Sequence, residues 1–359
     1  MNKKNNYLFL GICLLVLFTA CEPFKLNAPY KDVTVVYGIL NYQDSIHYVK
    51  IYKGFQPEGE DAVFIAAQNP DSIYYYDFSK NTSFIDVVLQ EFEKDKRTPR
   101  KDILLDITHD FPRDSGIFCY DKDKIIYYTK EKLNKGKEYK IVITNKLTGK
   151  IVEGKTSIVE NFSIKSYQTF NMTGTADQIL FSKAINADDQ GYEIFVNFIY
   201  FEVDKNTKQV VKIGKIVKNV CPKVADGKIE DKDGLLYKKF AKTFYADIAA
   251  QLKPDDNVIR YIGLPGNNGC CIEIEGWAAG ESMVQFLQSN QPTFSFIQVN
   301  RTYTNMTSIP SDGTAFGFFS SRVKCPNTYL AVNPASQDTL IYGPKTNHLG
   351  FRPWVEYKP

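Results

Sequence analysis

The sequence predicts a mainly β protein: an immunoglobulin- or fibronectin-like sandwich over residues 31–161, then a β-rich domain over 162–330 with one or two helices. Three observations lead there. Aromatic residues form 14% of the 359-residue chain, 23 Tyr and 25 Phe against 2 Trp, and such side chains fit a pleated, half-buried surface. Short stretches of period-two alternation recur through the first half. In the second half one apolar run is hydrophobic on both faces, as in a strand covered from both sides. A hydrophobic fraction of 43% with 24% charged residues belongs to a folded chain, not a disordered one.

Taken in order, residues 21–30 hold two prolines and no periodicity, and read as a tether. Val33 to Leu40 is a continuous β-type run. Ile46 to Tyr52 alternates, with His47, Val49 and Ile51 on one face, and Ser83 to Phe92 alternates similarly. Residues 53–82, rich in Gly, Pro, Asp and Asn, read as a long excursion between strands. Tyr139, Ile141 and Ile143 alternate with polar partners, Asn145 to Gly149 supplies turn residues and Lys150 to Val159 returns: a hairpin closing the sandwich near Asn161. Tyr192 to Val203 is the doubly apolar strand, and Asp204 to Thr207 turns the chain towards Val210 to Val217. Leu236, Phe240, Phe244, Ile248 and Leu252 recur every fourth residue after Asp233-Gly234 and stop at Lys253-Pro254, predicting a helix over 235–252. A second helix is expected over 281–289, carrying Met283, Phe286 and Leu287. Strands are expected near 259–263, 271–276, 294–300 and 316–320. Residues 331–359, with several prolines and spaced Phe351, Trp354 and Tyr357, read as an extended tail.

The N-terminus supplies an address. Lys3 and Lys4 precede an apolar run from Tyr7 to Ala20, which ends Leu17-Phe18-Thr19-Ala20-Cys21. This is the layout of a bacterial lipoprotein signal peptide over residues 1–20, with Cys21 as the lipidated first residue of the mature chain. The run is too short for a permanent bilayer span. The expected location is the outer membrane, anchored by lipid, with the periplasmic or surface side left open. Without Lys3 and Lys4 the charge balance is 42 basic against 41 acidic residues, which offers no electrostatic case for nucleic acid.

Of 7 cysteines, Cys13 lies in the signal and Cys21 carries the lipid, leaving Cys119, Cys221, Cys270, Cys271 and Cys325 facing an oxidising envelope. Cys119 stands by itself in the first domain and is expected to be a free thiol. Adjacent Cys270 and Cys271 point to opposite faces of a strand. The expectation is a disulfide from Cys221 to Cys270 or Cys271, with Cys325 reaching the other.

The stretch Thr304-Asn305-Met306, followed by Gly317-Phe318-Phe319-Ser320-Ser321-Arg322, resembles the closing motif of a family of Bacteroidota envelope lipoproteins of unassigned function. The early strands Val35-Val36-Tyr37-Gly38-Ile39-Leu40 and Tyr48-Val49-Lys50-Ile51-Tyr52 resemble that family's opening. The resemblance implies a TonB-dependent outer-membrane transporter as a partner and carries over no catalytic residue. Asp44-Ser45-Ile46, Asp71-Ser72-Ile73 and Asp338-Thr339-Leu340 resemble sites of periplasmic O-glycosylation in the same bacteria, at Ser45, Ser72 and Thr339; as bare sequence they are polar loop residues.

Candidate chemistry is sparse. Of the 3 histidines, His47 shares a strand face with Val49 and Ile51 and reads as packed, His109 sits in a turn-like Thr108-His109-Asp110, and His348 lies in the tail. No His-Glu-x-x-His or Cys-x-x-Cys supports zinc, and Glu230-Asp231-Lys232-Asp233 lacks the later ligands of a calcium loop. Gly263 to Gly269 lacks the Lys-Ser/Thr ending of a phosphate loop, and Gly-x-Ser-x-Gly is absent. No cofactor is expected. The reading is a non-enzymatic binding or accessory subunit of an envelope transporter or assembly complex. The rival is a carbohydrate- or peptide-processing enzyme, whose mark would be two carboxylates about 5–10 Å apart with little else to explain them. Trp277 and Trp354 are few for a sugar-stacking platform.

Overall fold

A computed structural model of the chain describes residues 31–54, 73–110, 125–165, 169–221, 230–266, 269–290 and 303–357. It is mainly β, with three α-helices among these residues. The first half supplies β1 (Thr34–Leu40), β2 (His47–Lys53), β3 (Tyr76–Asp77), β4 (Thr82–Ser83), β5 (Ile85–Glu93), β6 (Lys101–Leu104), β7 (Asp106–Thr108), β8 (Ile126–Thr129), β9 (Lys137–Asn145) and β10 (Ile151–Ser157). The second supplies β11 (Thr169–Phe170), β12 (Ala176–Phe181), β13 (Tyr192–Asp204), β14 (Val210–Cys221), β15 (Glu230–Lys232), β16 (Leu235–Ala241), α1 (Phe244–Gln251), β17 (Val258–Ile262), β18 (Cys270–Ala279) and α2 (Glu281–Ser289). The chain closes with β19 (Met306–Ile309), β20 (Ala315–Lys324), β21 (Thr328–Val332), α3 (Pro334–Tyr342) and β22 (Phe351–Arg352). The strand expected over 294–300 and most of the 53–82 excursion lie outside the described residues.

Two leaves face each other in the first half. One runs β19-β10-β9-β5-β6; the other is the β20-β1-β2-β8-β7 end of a 12-stranded sheet. Period-two alternation builds the space between them: Val36, Leu40, Val49 and Ile51 from one leaf meet Val87, Leu89, Ile141, Ile143 and Val152 from the other. The β9–β10 hairpin pairs from Thr144↔Ile151 to Glu138↔Ser157. Its turn is held by Asn145, whose N–H donates to the Lys150 carbonyl and whose carbonyl accepts from Gly149.

The sandwich is not complete at Asn161. β19 joins β10, from Gly154↔Met306 to Ile151↔Ile309, and β20 runs parallel to β1, from Thr34↔Ala315 to Leu40↔Ser321. Met306, Ala315 and Phe319 belong to the same core. This corrects the 31–161 unit: two of its strands come from residues 306–324, because long-range pairing leaves no local mark in the sequence. β20 then continues along β18, Ala279↔Arg322 to Trp277↔Lys324, so one sheet threads both halves.

The closing motif performs this junction. Asn305 grips β20 with both ends of its amide: Nδ2 donates to the Phe319 carbonyl at 2.8 Å and Oδ1 accepts from the Phe319 N–H at 2.9 Å. Gly317 sits at φ 95°, where a Cβ would collide with the Val36 carbonyl of β1. Ser321 Oγ donates to the Ser157 carbonyl at 2.6 Å and accepts from the Val159 N–H at 3.0 Å.

β13 lies between β14, β17 and β18. One face, Tyr192, Ile194, Val196, Phe198 and Tyr200, packs with Phe162, Phe181, Phe244, Ile248, Leu340 and Phe351. Two expectations for this half are corrected. The 235–252 helix is half strand: β16 pairs with β12 from Ala176↔Ala241 to Phe181↔Leu236, and only α1 is helical. Residues four apart share a face in a strand as well as in a helix, so the Leu236–Phe240 spacing fits both. Asp233 and Gly234, at φ 51° and 74°, make the two-residue turn of a β15–β16 hairpin. The tail is folded, not extended. Asn333 accepts from the Ser336 N–H at 2.9 Å as the N-cap of α3, Pro334 occupies the first turn, and Leu340, Leu349 and Phe351 are buried in the core.

Candidate functional site

The outer face of the sheet in the second half is where chemistry collects. On β18, Ile272, Ile274 and Ala278 face the core, which sends Glu273, Glu275 and Trp277 outwards. Neighbouring strands contribute Asn197 from β13, Lys215 from β14, and Arg322 and Lys324 from β20. Glu273 is 6% exposed and accepts four bonds: Lys215 Nζ at 2.7 Å, Asn327 Nδ2 at 2.7 Å, Tyr329 OH at 2.9 Å and Asn197 Nδ2 at 3.3 Å. Burial alone would push its carboxyl up, but these donors, Lys215 foremost, bring it down to about 2. Glu275 shares the same ammonium at 3.2 Å, and Lys215 itself is raised, its two carboxylates outweighing its own desolvation. The two acids therefore stand together but are accounted for as a carboxylate–ammonium cluster, in which Glu273 is held ionised.

Beside this cluster the face opens into a shallow slot of about 50 Å³ lined by Glu193, Trp277, Ala279, Met283, Val284, Leu287 and Arg322, with Gly191 at its rim. α2 forms its apolar wall, fixed in turn by Phe286, which stacks on Phe318 at 4.4 Å between centroids. The Arg322 guanidinium lies 4.4 Å from the Trp277 ring centroid, and Lys324 Nζ lies 5.6 Å from the same ring.

Elsewhere acids serve the fold. Glu91, 2% exposed, accepts from Tyr139 OH at 2.6 Å, Asn134 Nδ2 at 2.8 Å and Arg100 at 2.9 Å. Buried Arg260 bonds Glu202 at 2.9 Å and the carbonyls of Leu349 and Lys253, tying the C-terminal segment to β17. Among the described residues no group of three or more His, Cys, Asp or Glu is arranged to hold a metal, and no helix is long and apolar enough to cross a membrane.

The residues singled out from sequence are scattered. His47 is packed on β2 at 3% exposure, and burial lowers its pKa. His109 is exposed, edge-on to Tyr76 at 5.8 Å, and His348 is exposed in a 3-10 turn. Ser45 is exposed in the turn before β2; Thr339 lies on α3 with its hydroxyl donating to the Ala335 carbonyl at 2.8 Å. Cys21, Ser72 and Cys119 fall outside the described residues.

The disulfide expectation is corrected: Cys221, Cys270, Cys271 and Cys325 are all free thiols. Cys221 is level with Ile194, whereas Ile272 is level with Phe198. Cys221 and Cys271 are thus two strands and about five residues apart, roughly 19 Å, far beyond the ~7 Å a bridge allows. Cys325 donates its N–H to the Gly276 carbonyl, again about five residues from Cys271. Three of these thiols pack as small hydrophobes, and burial pushes Cys221 and Cys325 up to about 11 and Cys271 up to about 12.

Sequence reasoning missed Glu273, Glu275, Lys215, Asn197 and Arg322. A signal was present: in Ile272-Glu273-Ile274-Glu275-Gly276-Trp277, acids and an aromatic alternate with core residues, which writes a polar functional face onto a strand.

No protein-family model and no curated protein matches the chain. Among solved structures, the C-terminal globular domain of an oligosaccharyltransferase from Pyrococcus abyssi is similar at 11% identity over 70% of this chain and 49% of that one, with a TM-score of 0.22. The chain spans about half the length of that structure, and at this score the likeness carries no argument.

Proposed function

We propose that the chain is a lipoprotein held in the outer membrane by an acylated Cys21, where it works as a non-enzymatic binding or accessory subunit of an envelope transporter or assembly complex, a TonB-dependent transporter being the partner that the family resemblance implies. The observation that carries the binding role is the use of charge on the open sheet face. Glu273 and Glu275, the pair that a hydrolytic reading would need, are taken up by Lys215, Asn197, Asn327 and Tyr329, while Arg322 stands over Trp277 at the mouth of an apolar slot. The Arg322 guanidinium, which has no hydrogen bond or ion pair among the described residues, stands beside the apolar side chains of Met283, Val284 and Leu287, an arrangement that suits recognition of a partner. The layout of residues 1–21 supports the anchor.

The test has two parts. Cys21→Ser should move the protein from the membrane fraction to the soluble one; a variant that still sediments with membranes contradicts lipid anchoring. The wild-type protein, extracted in mild detergent, should co-purify at fixed stoichiometry with an outer-membrane transporter. A strictly monomeric protein contradicts the accessory role.

A further inference from the structure

We propose that the chain forms a two-fold dimer through the free edge of β14, which pairs antiparallel with β14 of a second copy about an axis at Gly214. Self-association of this kind is independent of any transporter partner.

β14 is an edge of unusual length. It pairs with β13 along one side, and among the described residues no strand pairs with the other. It runs 12 residues, whereas β6, β7, β12, β15, β19 and β22, at the ends of the sheets, run 2 to 6. Bare edges are normally kept short or guarded by lysines, because their open N–H and C=O groups invite a further strand. Here the three lysines of the strand are engaged within the chain. Lys212 bonds the Tyr200 hydroxyl, Lys215 bonds Glu273 at 2.7 Å and Lys218 bonds Asp247 at 2.8 Å. Val211, Ile213 and Val217, which share the open face with Lys215, are 56%, 58% and 52% exposed.

The residues around Gly214 complement themselves, which points to a second copy as the occupant. In an antiparallel pair centred there, Val211 faces Val217 of the second copy, Lys212 faces Ile216 and Ile213 faces Lys215, each contact occurring twice. Apolar side chains meet at both ends, and no ammonium stands opposite another. Centring on Lys212 or Lys215 instead sets like charges face to face, which is destabilising. Lys218 ties the far end of β14 to Thr243 and Asp247 at the start of α1, at 2.5 and 2.8 Å, so the open stretch lies around Gly214. Gly214 itself projects nothing at the axis, its Cβ position being taken by the Tyr200 ring. Opposed side chains of an antiparallel pair share a face, so the axis runs perpendicular to the sheet and the two open faces continue one another.

Sedimentation of the Cys21→Ser chain, free of lipid, tests the pairing. A strand-edge contact of this length belongs with interfaces below about 1,200 Å², so half-dimerisation is expected at about 10–100 µM. Ile213→Lys sets an ammonium opposite Lys215 of the second copy and should weaken dimerisation at least tenfold, with thermal unfolding unchanged because the replaced side chain is exposed. Cross-linking checks the register. In a Cys119→Ser, Cys270→Ser background, mild oxidation should join the Val211→Cys, Val217→Cys double variant into a covalent dimer, since facing residues lie within the ~7 Å between Cα atoms that a disulfide needs. Neither single variant should cross-link. A chain still monomeric at about 200 µM, an Ile213→Lys protein that dimerises as tightly, a double variant that stays uncrosslinked, or a single variant that cross-links as readily overturns the assignment. Co-purification with a transporter despite that result would leave the accessory role standing and dismiss only this dimer.

Discussion

Glu273 lies almost out of solvent on an otherwise open sheet face, and what keeps it charged is local. Four donors converge on two oxygens, and with Lys215 among them their effect exceeds the desolvation that opposes it. The folded carboxyl therefore releases its proton near pH 2, against an ordinary value of 4.5. Because the unfolded chain binds this proton more tightly, the cluster contributes in full above the ordinary value and its contribution is lost as pH falls through the window towards 2. Urea unfolding at a series of pH values between about 5 and 2 should show wild type losing stability more steeply than Glu273→Gln. Parallel curves for the two proteins would mean that the carboxylate is not held this way. The same residue shows how a site escapes notice in sequence: the alternation places Glu273 outwards, but its partners come from residues 197, 215, 327 and 329, on other strands.

At the scale of elements, what was legible depended on how local the cause was. The β9–β10 hairpin could be read because five turn residues join two alternating runs, and β13 because its apolar residues fill both faces. The Leu236-to-Leu252 spacing is ambiguous because a fourfold interval fits either a strand or a helix, and the Asp233-Gly234 dipeptide before it is a hairpin signal, not a helix start. Asn333-Pro334 was likewise written in the tail as a cap and a first-turn proline. Its weight can be measured. Asn333→Ala removes the acceptor for the Ser336 N–H and should cost about 1 kcal/mol of stability, within the ~0.5–2 kcal/mol typical of such caps. Leu340 anchors the same helix in the core and Ser336 Oγ accepts from the Met172 N–H at 2.7 Å, so the helix should persist while the urea midpoint falls. An unchanged midpoint would show that core packing alone sets this end of the chain.

For the whole molecule, the joining of the halves decides what can fold alone. β1 has β2 on one side and β20 on the other, some 280 residues away in sequence but in register from Thr34↔Ala315 to Leu40↔Ser321. Without β19 and β20 the sandwich loses Met306, Ala315 and Phe319 from between its leaves, and β1 and β10 become bare edges. Gly38 and Gly154 pack against Phe319 and Met306, so those side chains fill space that no residue of the first half occupies. A fragment of residues 31–161 should therefore not fold: its amide spectrum should be poorly dispersed and its unfolding non-cooperative. The same fragment fused through a flexible linker to residues 303–324 restores both strands, the Asn305 grip on Phe319 and the Ser321 bonds to residues 157 and 159. That fusion should recover dispersion and a cooperative transition. A cooperative 31–161 fragment would place the stabilising core within the first half and leave the C-terminal strands as a covering layer.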